Sequence, residues 1–313
     1  MNQDNSGLEL SLEQAETMFR QQLEQRPDAV APHNNLALVL RQQGRLTEAE
    51  EMLRKALALQ PDSADVHVNL ALVLFDLGRD AEAGATLGAA LKLQPENAMA
   101  HYMHAGVMVR QDRLSDARTH LEKTLAAAPE FADAHFALGD VLRRLGQLPE
   151  AEAACRRGID LRPDLVAGYL GLGDVHFATG KLVAADEAFN HALAMQPESA
   201  EAHCGLGNVA HRRMLLDEAE AQYRQALAKR PVFFEASRGL GLVLIDSGHF
   251  VESEAALRQA LSIQPDDPIA RNALNFALAR KADSDTLGLQ TDPKTLVQGS
   301  RRDRAESKTG GKR

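Results

Sequence analysis

Histidine recurs at His33, His67, His101 and His135 at a constant interval of 34 residues, and again at His203 two intervals later. Such a row invites a metal-binding reading, because imidazoles are common ligands. A shared ion needs its donors to converge at about 2 Å each. Equivalent side chains in stacked structural units stand roughly 8–10 Å apart, one helix-packing distance. The row therefore cannot close on one ion, and its expected role is to fill seams between units. His104, three residues after His101, stands in a column otherwise occupied by leucine and reads as core. Cys155 and Cys204 alone form neither a CxxC pair nor a zinc framework, and they suggest no disulfide scaffold. No nucleophile–base set or phosphate-cradling loop emerges; "SKTGGKR" lacks the strand–loop–helix setting of a P-loop. The expectation is a protein without catalysis, metal or cofactor.

The elements that carry these residues follow from the prolines. Eight of twelve fall at 27, 61, 95, 129, 163, 197, 231 and 265, always 34 residues apart. With each proline as position 32, full units span 30–63, 64–97, 98–131, 132–165, 166–199, 200–233 and 234–267. Position 8 is then always Ala or Gly, and position 20 is Ala or Ser. Position 24 is large, apart from Cys155: Leu53, Leu87, Leu121, Phe189, Tyr223 and Leu257. Small residues facing large ones let two helices approach closely. Gly44, Gly78, Gly146, Gly180 and Gly248 at position 15 suit the positive φ of a tight interhelical turn. Asp112 tolerates that conformation and Met214 does not easily, which predicts altered turns in the third and sixth units. Each proline ends a second helix, and the acid that usually follows (Asp62, Glu96, Asp266) suits the start of the next.

This pattern resembles the tetratricopeptide repeat (TPR), a helix–turn–helix whose small, large and proline positions match those above. The family's tryptophan at position 4 is absent; that column is mostly histidine here. The resemblance implies an all-α, right-handed superhelix (solenoid) of seven repeats over 30–267. Ser11 to Ala29 reads as an orphan second helix opened by a Ser11–Gln14 capping box, and Asp267-Pro268 opens a last helix to about Lys281. The expected solenoid thus spans 11–281. Residues 1–10 and the polar, basic stretch 282–313 are expected to be disordered.

TPR arrays, as the resemblance implies, bind extended peptides or partner helices on a concave face lined by positions 2, 5, 6, 9, 12 and 13. Asn35 and Asn69 at position 6 can pair with a peptide backbone. They look like the start of the asparagine ladder of O-linked N-acetylglucosamine transferase repeats, though no catalytic domain accompanies them. Position 5 lacks the lysine of the co-chaperone clamp. Val68, Leu72, Phe75, Tyr102, Val109, Phe136, Leu170 and Phe177 form an expected apolar stripe. Arg110, Arg143 and Arg144 edge it, and Asp140 and Asp174 lie on its floor. Such a stripe suits an apolar segment flanked by acids. Gly171, Gly205 and Gly239 at position 6 sit mid-helix, where glycine costs about 1 kcal/mol. They mark either a floor kept bare for a ligand or tight packing against the next helix. In "PVFFEA", Phe233 is expected to pack, leaving Val232 or Phe234 exposed.

Bulk composition agrees with this reading. The 313 residues are 44% hydrophobic but only 4% aromatic, which suits close-packed helices. A net charge of −9 argues against nucleic acid as a partner. The N-terminus carries no signal-peptide pattern, and no apolar run is long enough to span a membrane, so a cytoplasmic location is expected. The function expected is a scaffold or adaptor for a protein or peptide. Self-association into a structural polymer, or service as an accessory subunit of a glycosyltransferase or other enzyme, are the alternatives.

Overall fold

The computed structural model describes residues 11–286. The expectations for 1–10 and for the tail beyond 286 lie outside the described residues. Sixteen α-helices and no strand occur among the described residues. They are α1 (Leu12–Gln25), α2 (Val30–Gln42), α3 (Leu46–Leu59), α4 (Ala64–Asp76), α5 (Asp80–Leu93), α6 (Ala98–Arg110), α7 (Leu114–Ala127) and α8 (Ala132–Arg144). Then come α9 (Leu148–Leu161), α10 (Val166–Ala178), α11 (Leu182–Met195), α12 (Ala200–Arg212), α13 (Leu216–Lys229), α14 (Phe234–Asp246), α15 (Phe250–Ile263) and α16 (Pro268–Thr286). The last helix runs past its expected end near Lys281.

Each even-numbered helix from α2 to α14 is the first of a repeat. The residue after the proline–acid pair, not the acid itself, caps several of them. Ser63, Asn97, Ser199 and Asp267 accept from the backbone N–H three residues on, at 3.5, 2.9, 3.2 and 2.6 Å. The Ser11–Gln14 capping box forms at α1. Inside each repeat a Schellman turn closes the first helix, as where the Arg45 N–H donates to Leu40 O at 2.9 Å. Its pivot is left-handed at all five glycines, φ +75° to +78°. Asp112 (φ 56°) and Met214 (φ 59°) adopt the same conformation. The turns of the third and sixth repeats are therefore not altered: tertiary packing overrides the local preference of Met214, whose side chain points into solvent.

The chain divides into two compact units within α10, between Gly171 and Leu172. In the first, Leu36, Leu53, Ala49, Leu74, Leu87 and Leu121 form a continuous core through α2–α8. In the second, Tyr223, Ala219, Val243 and Leu244 form one cluster, and Leu257, Ala260 and Ala270 another that seats α16. Small-against-large columns explain both cores, since alanines at position 20 are fully buried beneath the large residues of position 24. Two ion-pair networks lace seams of the first unit, Glu16–Arg20–Arg45–Glu48 and Glu50–Arg54–Arg79–Glu82. Hydrogen bonds from Gln43, Arg45 and Arg20 hold the Glu16 carboxyl down at about 2.

Candidate functional site

The histidine column closes turns. His67, His101 and His135 each place Nε2 2.9 Å from the carbonyl oxygen of the proline six residues earlier: Pro61, Pro95 and Pro129. A carbonyl only accepts, so Nε2 carries the proton. Tyr169 donates likewise to Pro163 O at 3.3 Å. His33 bonds Ala29 O and His203 bonds the Gln222 side chain. At four interrepeat turns the column thus satisfies the carbonyl of the proline, whereas His203 is held by a side chain instead. The third repeat adds a cluster: His101 Nδ1 lies 2.9 Å from His120 Nδ1, and His104 stacks on His120 with centroids 4.3 Å apart. No group of three or more His, Cys, Asp or Glu suited to a metal ion occurs among the described residues.

An apolar groove lies in the first unit, among the helices that carry part of the expected stripe. Phe75 of α4, Tyr102, Met103, Gly106, Val109 and Arg110 of α6, and Ala137, Asp140 and Val141 of α8 line it. Leu121 of α7 lies beneath, and the hollow measures ≈ 330 Å³. Five of these residues, Phe75, Tyr102, Val109, Arg110 and Asp140, belong to the stripe read from the sequence. Tyr102 is steadied by the ring of Phe131, 4.8 Å between centroids.

The other expected groove residues have different duties. Phe136 leaves the stripe: its ring lies where a Cβ on Gly158 or Gly168 would stand, at 2.3 and 2.7 Å. It is a packing residue between α8, α9 and α10. Val68 is buried, Leu72 is half-buried, and neither lines the hollow. Asn69 donates to Asn34 Oδ1 at 2.8 Å, and Asn34 to Asn35 at 3.4 Å, so the short asparagine row bonds to itself. Leu170 falls at the end of the first unit, half-buried, whereas Asp174 and Phe177 belong to the second.

The expected basic edge is already paired. Arg110 lies 3.0 Å from Asp80, donates to Phe75 O at 2.8 Å and covers the Phe75 ring at 4.2 Å. Arg143 holds Asp140 at 2.6 Å, and Arg144 holds Asp112 at 2.8 Å. A recurring clasp emerges: position 12 of one repeat meets position 13 of the next. Besides Phe75–Arg110 it joins Arg41 to Asp76 (2.5 Å), Phe177 to Arg212 (4.9 Å from ring to guanidinium) and His211 to Asp246 (2.7 Å). Phe75, Arg110 and Phe177, expected to line a ligand site, thus also contact neighbouring helices.

The glycine floor is filled. A Cβ on Gly205 would stand 2.5 Å from the Phe189 ring, and one on Gly239 2.5 Å from Tyr223. Gly173 and Gly207 meet the same two rings from the other side, at 2.6 and 2.8 Å. Phe189 and Tyr223 are thus each seated between two glycines, which accounts for Gly205 and Gly239 by packing; Gly171 faces Cys155 instead, whose Sγ would lie 3.3 Å from an added Cβ. The Tyr223 hydroxyl passes through to donate to Asn208 at 2.8 Å. At the "PVFFEA" corner Phe234 is buried and Val232 is exposed. Cys155 and Cys204 are buried thiols, with Cys204 pushed up to about 12 by burial.

Met103 and Ala137 stand at groove-lining position 6 but outside the expected stripe, and Ala105, Gly106, Leu121 and Val141 were not expected in the lining. Gly106 carried a usable signal: position 9 is otherwise Leu38, Leu72, Asp140, Asp174, Asn208 and Leu242.

Comparison with known proteins gives a consistent picture. A tetratricopeptide repeat model matches residues 11–64, 102–166, 170–221 and 215–268, and a second matches 40–106. No curated protein matches the sequence. Among solved structures, a chain of the APC/C hetero-tetramer Cut9–Hcn1 is similar at 16% identity and TM-score 0.71, over 86% of this chain and 53% of that one. This chain therefore spans about half the length of that relative. A tetratricopeptide repeat protein from Parabacteroides merdae ATCC 43184 is similar at 15% identity and TM-score 0.68, over 84% of this chain and 99% of its own. The pilF protein of Pseudomonas aeruginosa shares 21% identity at TM-score 0.56, over 72% of this chain and 96% of its own. At these identities the likeness is one of fold, and it agrees with what the repeat columns and the helical hairpins show independently: the chain belongs to the tetratricopeptide repeat family.

Proposed function

We propose that this protein is a non-catalytic interaction scaffold that holds an apolar segment of a partner protein in the groove of α4, α6 and α8. The observation that carries this reading is the ≈ 330 Å³ apolar hollow itself, open among half-buried Phe75, Tyr102 and Val109. Exposed apolar surface gathered in a concavity marks binding sites, whereas scattered apolar residues do not. The paired arginines contribute rigidity to the walls instead of charge to a ligand. No helix among the described residues is long and apolar enough to cross a membrane. The Cut9–Hcn1 relative is itself part of a hetero-tetramer.

Crosslinked affinity capture with quantitative mass spectrometry tests this proposal, comparing wild type with a folded Phe75→Ala, Val109→Asp variant and an Arg54→Ala control outside the groove. A partner retained by the control and depleted at least tenfold by the groove variant supports the scaffold. Partners indifferent to the groove variant would contradict it.

A further inference from the structure

Glycine inside a helix is destabilising relative to alanine, so each interior glycine calls for a cause. For most in this chain the cause is steric. Added Cβ atoms at Gly139, Gly158, Gly173, Gly205, Gly207, Gly239 and Gly241 would fall 2.3–2.8 Å from a neighbouring side chain. Gly106 differs. Its Cβ would meet only the edge of the Phe75 ring, at 3.9 Å, an ordinary van der Waals distance. Alanine would fit there without any shift, and the packing of α6 does not call for glycine. What the missing side chain leaves is the hollow, whose lining includes Phe75, Met103 and Val109 around Gly106.

Resting on the groove reading above, we infer that the Gly106 hollow is an anchor site taking one uncharged apolar side chain, of leucine, methionine or phenylalanine size, from the bound protein segment. Charge complementarity selects that occupant. The two charged groups at the hollow are neutralised within the chain: Arg110 by Asp80, and Asp140 by Arg143 at 2.6 Å. A cationic or anionic anchor would lose its hydration with no unmatched partner to replace it. An apolar one gains burial against Phe75, Val109 and the adaptable Met103. A volume of ≈ 330 Å³ accommodates a large side chain, where a site for a drug-sized molecule begins.

The test uses five capped peptides, acetyl-Gly-Gly-X-Gly-Gly-amide, with X as Leu, Met, Phe, Lys or Glu. Methyl NMR of the full chain follows Met103 and Val109 during millimolar titrations. The Leu, Met and Phe peptides should shift these methyls in a saturable way, and the Lys and Glu peptides should give less than a tenth of that effect. Gly106→Leu should abolish the shifts, and Gly106→Ala should hold or raise Tm. A drop in Tm for Gly106→Ala would show the glycine to be a packing requirement and overturn the inference. Equal shifts from all five peptides, or none from any, would overturn it too. A captured partner that needs Phe75 yet tolerates Gly106→Leu would sink the anchor and leave the scaffold standing. Saturable apolar binding with no partner dependent on Phe75 would do the reverse.

Discussion

Met214 holds its backbone at φ 59° while the residue is 66% exposed. Left-handed backbone costs a non-glycine residue about 1–2 kcal/mol, and glycine's extra unfolded-state freedom takes back about 0.4–1 kcal/mol. Met214→Gly should therefore stabilise the protein by about 0.5–1 kcal/mol in calorimetry, and a lower Tm would refute this account of the turn. The histidine cluster gives a pH dependence. Burial, aided by His104, His101 and Lys123 and opposed by Asp116, lowers His120 from 6.5 to about 4; burial also lowers His104, beside Arg113 and Asp116. The unfolded chain then binds more protons, so stability falls as pH drops from about 6.5 toward 4. His120→Gln, which copies the His203–Gln222 pair of the sixth repeat, should remove part of that slope between pH 7 and 5. An unchanged slope would show that His120 titrates as it does in the unfolded chain. The sequence showed that these histidines recur but not what they bond, because the proline carbonyls that accept from them are backbone groups with no residue signature.

The hairpin was the most legible element, since proline, glycine and small-residue columns each impose a separate steric demand in the same register. The face a column presents was less legible. Gly205 and Gly239 occupy a groove-facing column, yet the rings behind them, Phe189 and Tyr223, decide their identity. The same chain holds the contrast: where position 24 is Leu53, Leu87 or Leu121, position 6 of the next repeat is Asn69, Met103 or Ala137. Gly239→Ala should therefore cost about 1–3 kcal/mol through overpacking. In a Tyr223→Leu background that cost should fall by more than half, a coupling that a double-mutant cycle in denaturant reads directly. An equal cost in both backgrounds would dissociate the glycine from the ring. Phe136 was misassigned for the same reason: Gly158 and Gly168, which accept its ring, lie far off in sequence.

At the scale of the whole molecule, the two terminal half-repeats raise the question of end-to-end growth. A composite repeat would set α16 of one copy against α1 of another, with Asn275 in the column that is Ala or Gly in all seven repeats and Phe19 in the large column. In the existing repeats that pairing leaves no room for a longer side chain; at Gly241 even a Cβ would stand 2.5 Å from Leu257. An asparagine in that column predicts that the composite does not form, and sedimentation velocity should show no growth in size over a hundredfold concentration range. Concentration-dependent polymers would contradict this. The central claim, that the α4–α6–α8 groove is where a partner lies, is tested most directly by site-specific photocrosslinking in the native lysate. A photoreactive residue would be placed in turn at Val109, at Leu72 and, as the comparison, at Arg54. The account predicts that one protein is captured from Val109, more weakly from Leu72, and not from Arg54. Capture of that protein from Arg54 with none from Val109 would place the partner elsewhere and contradict it.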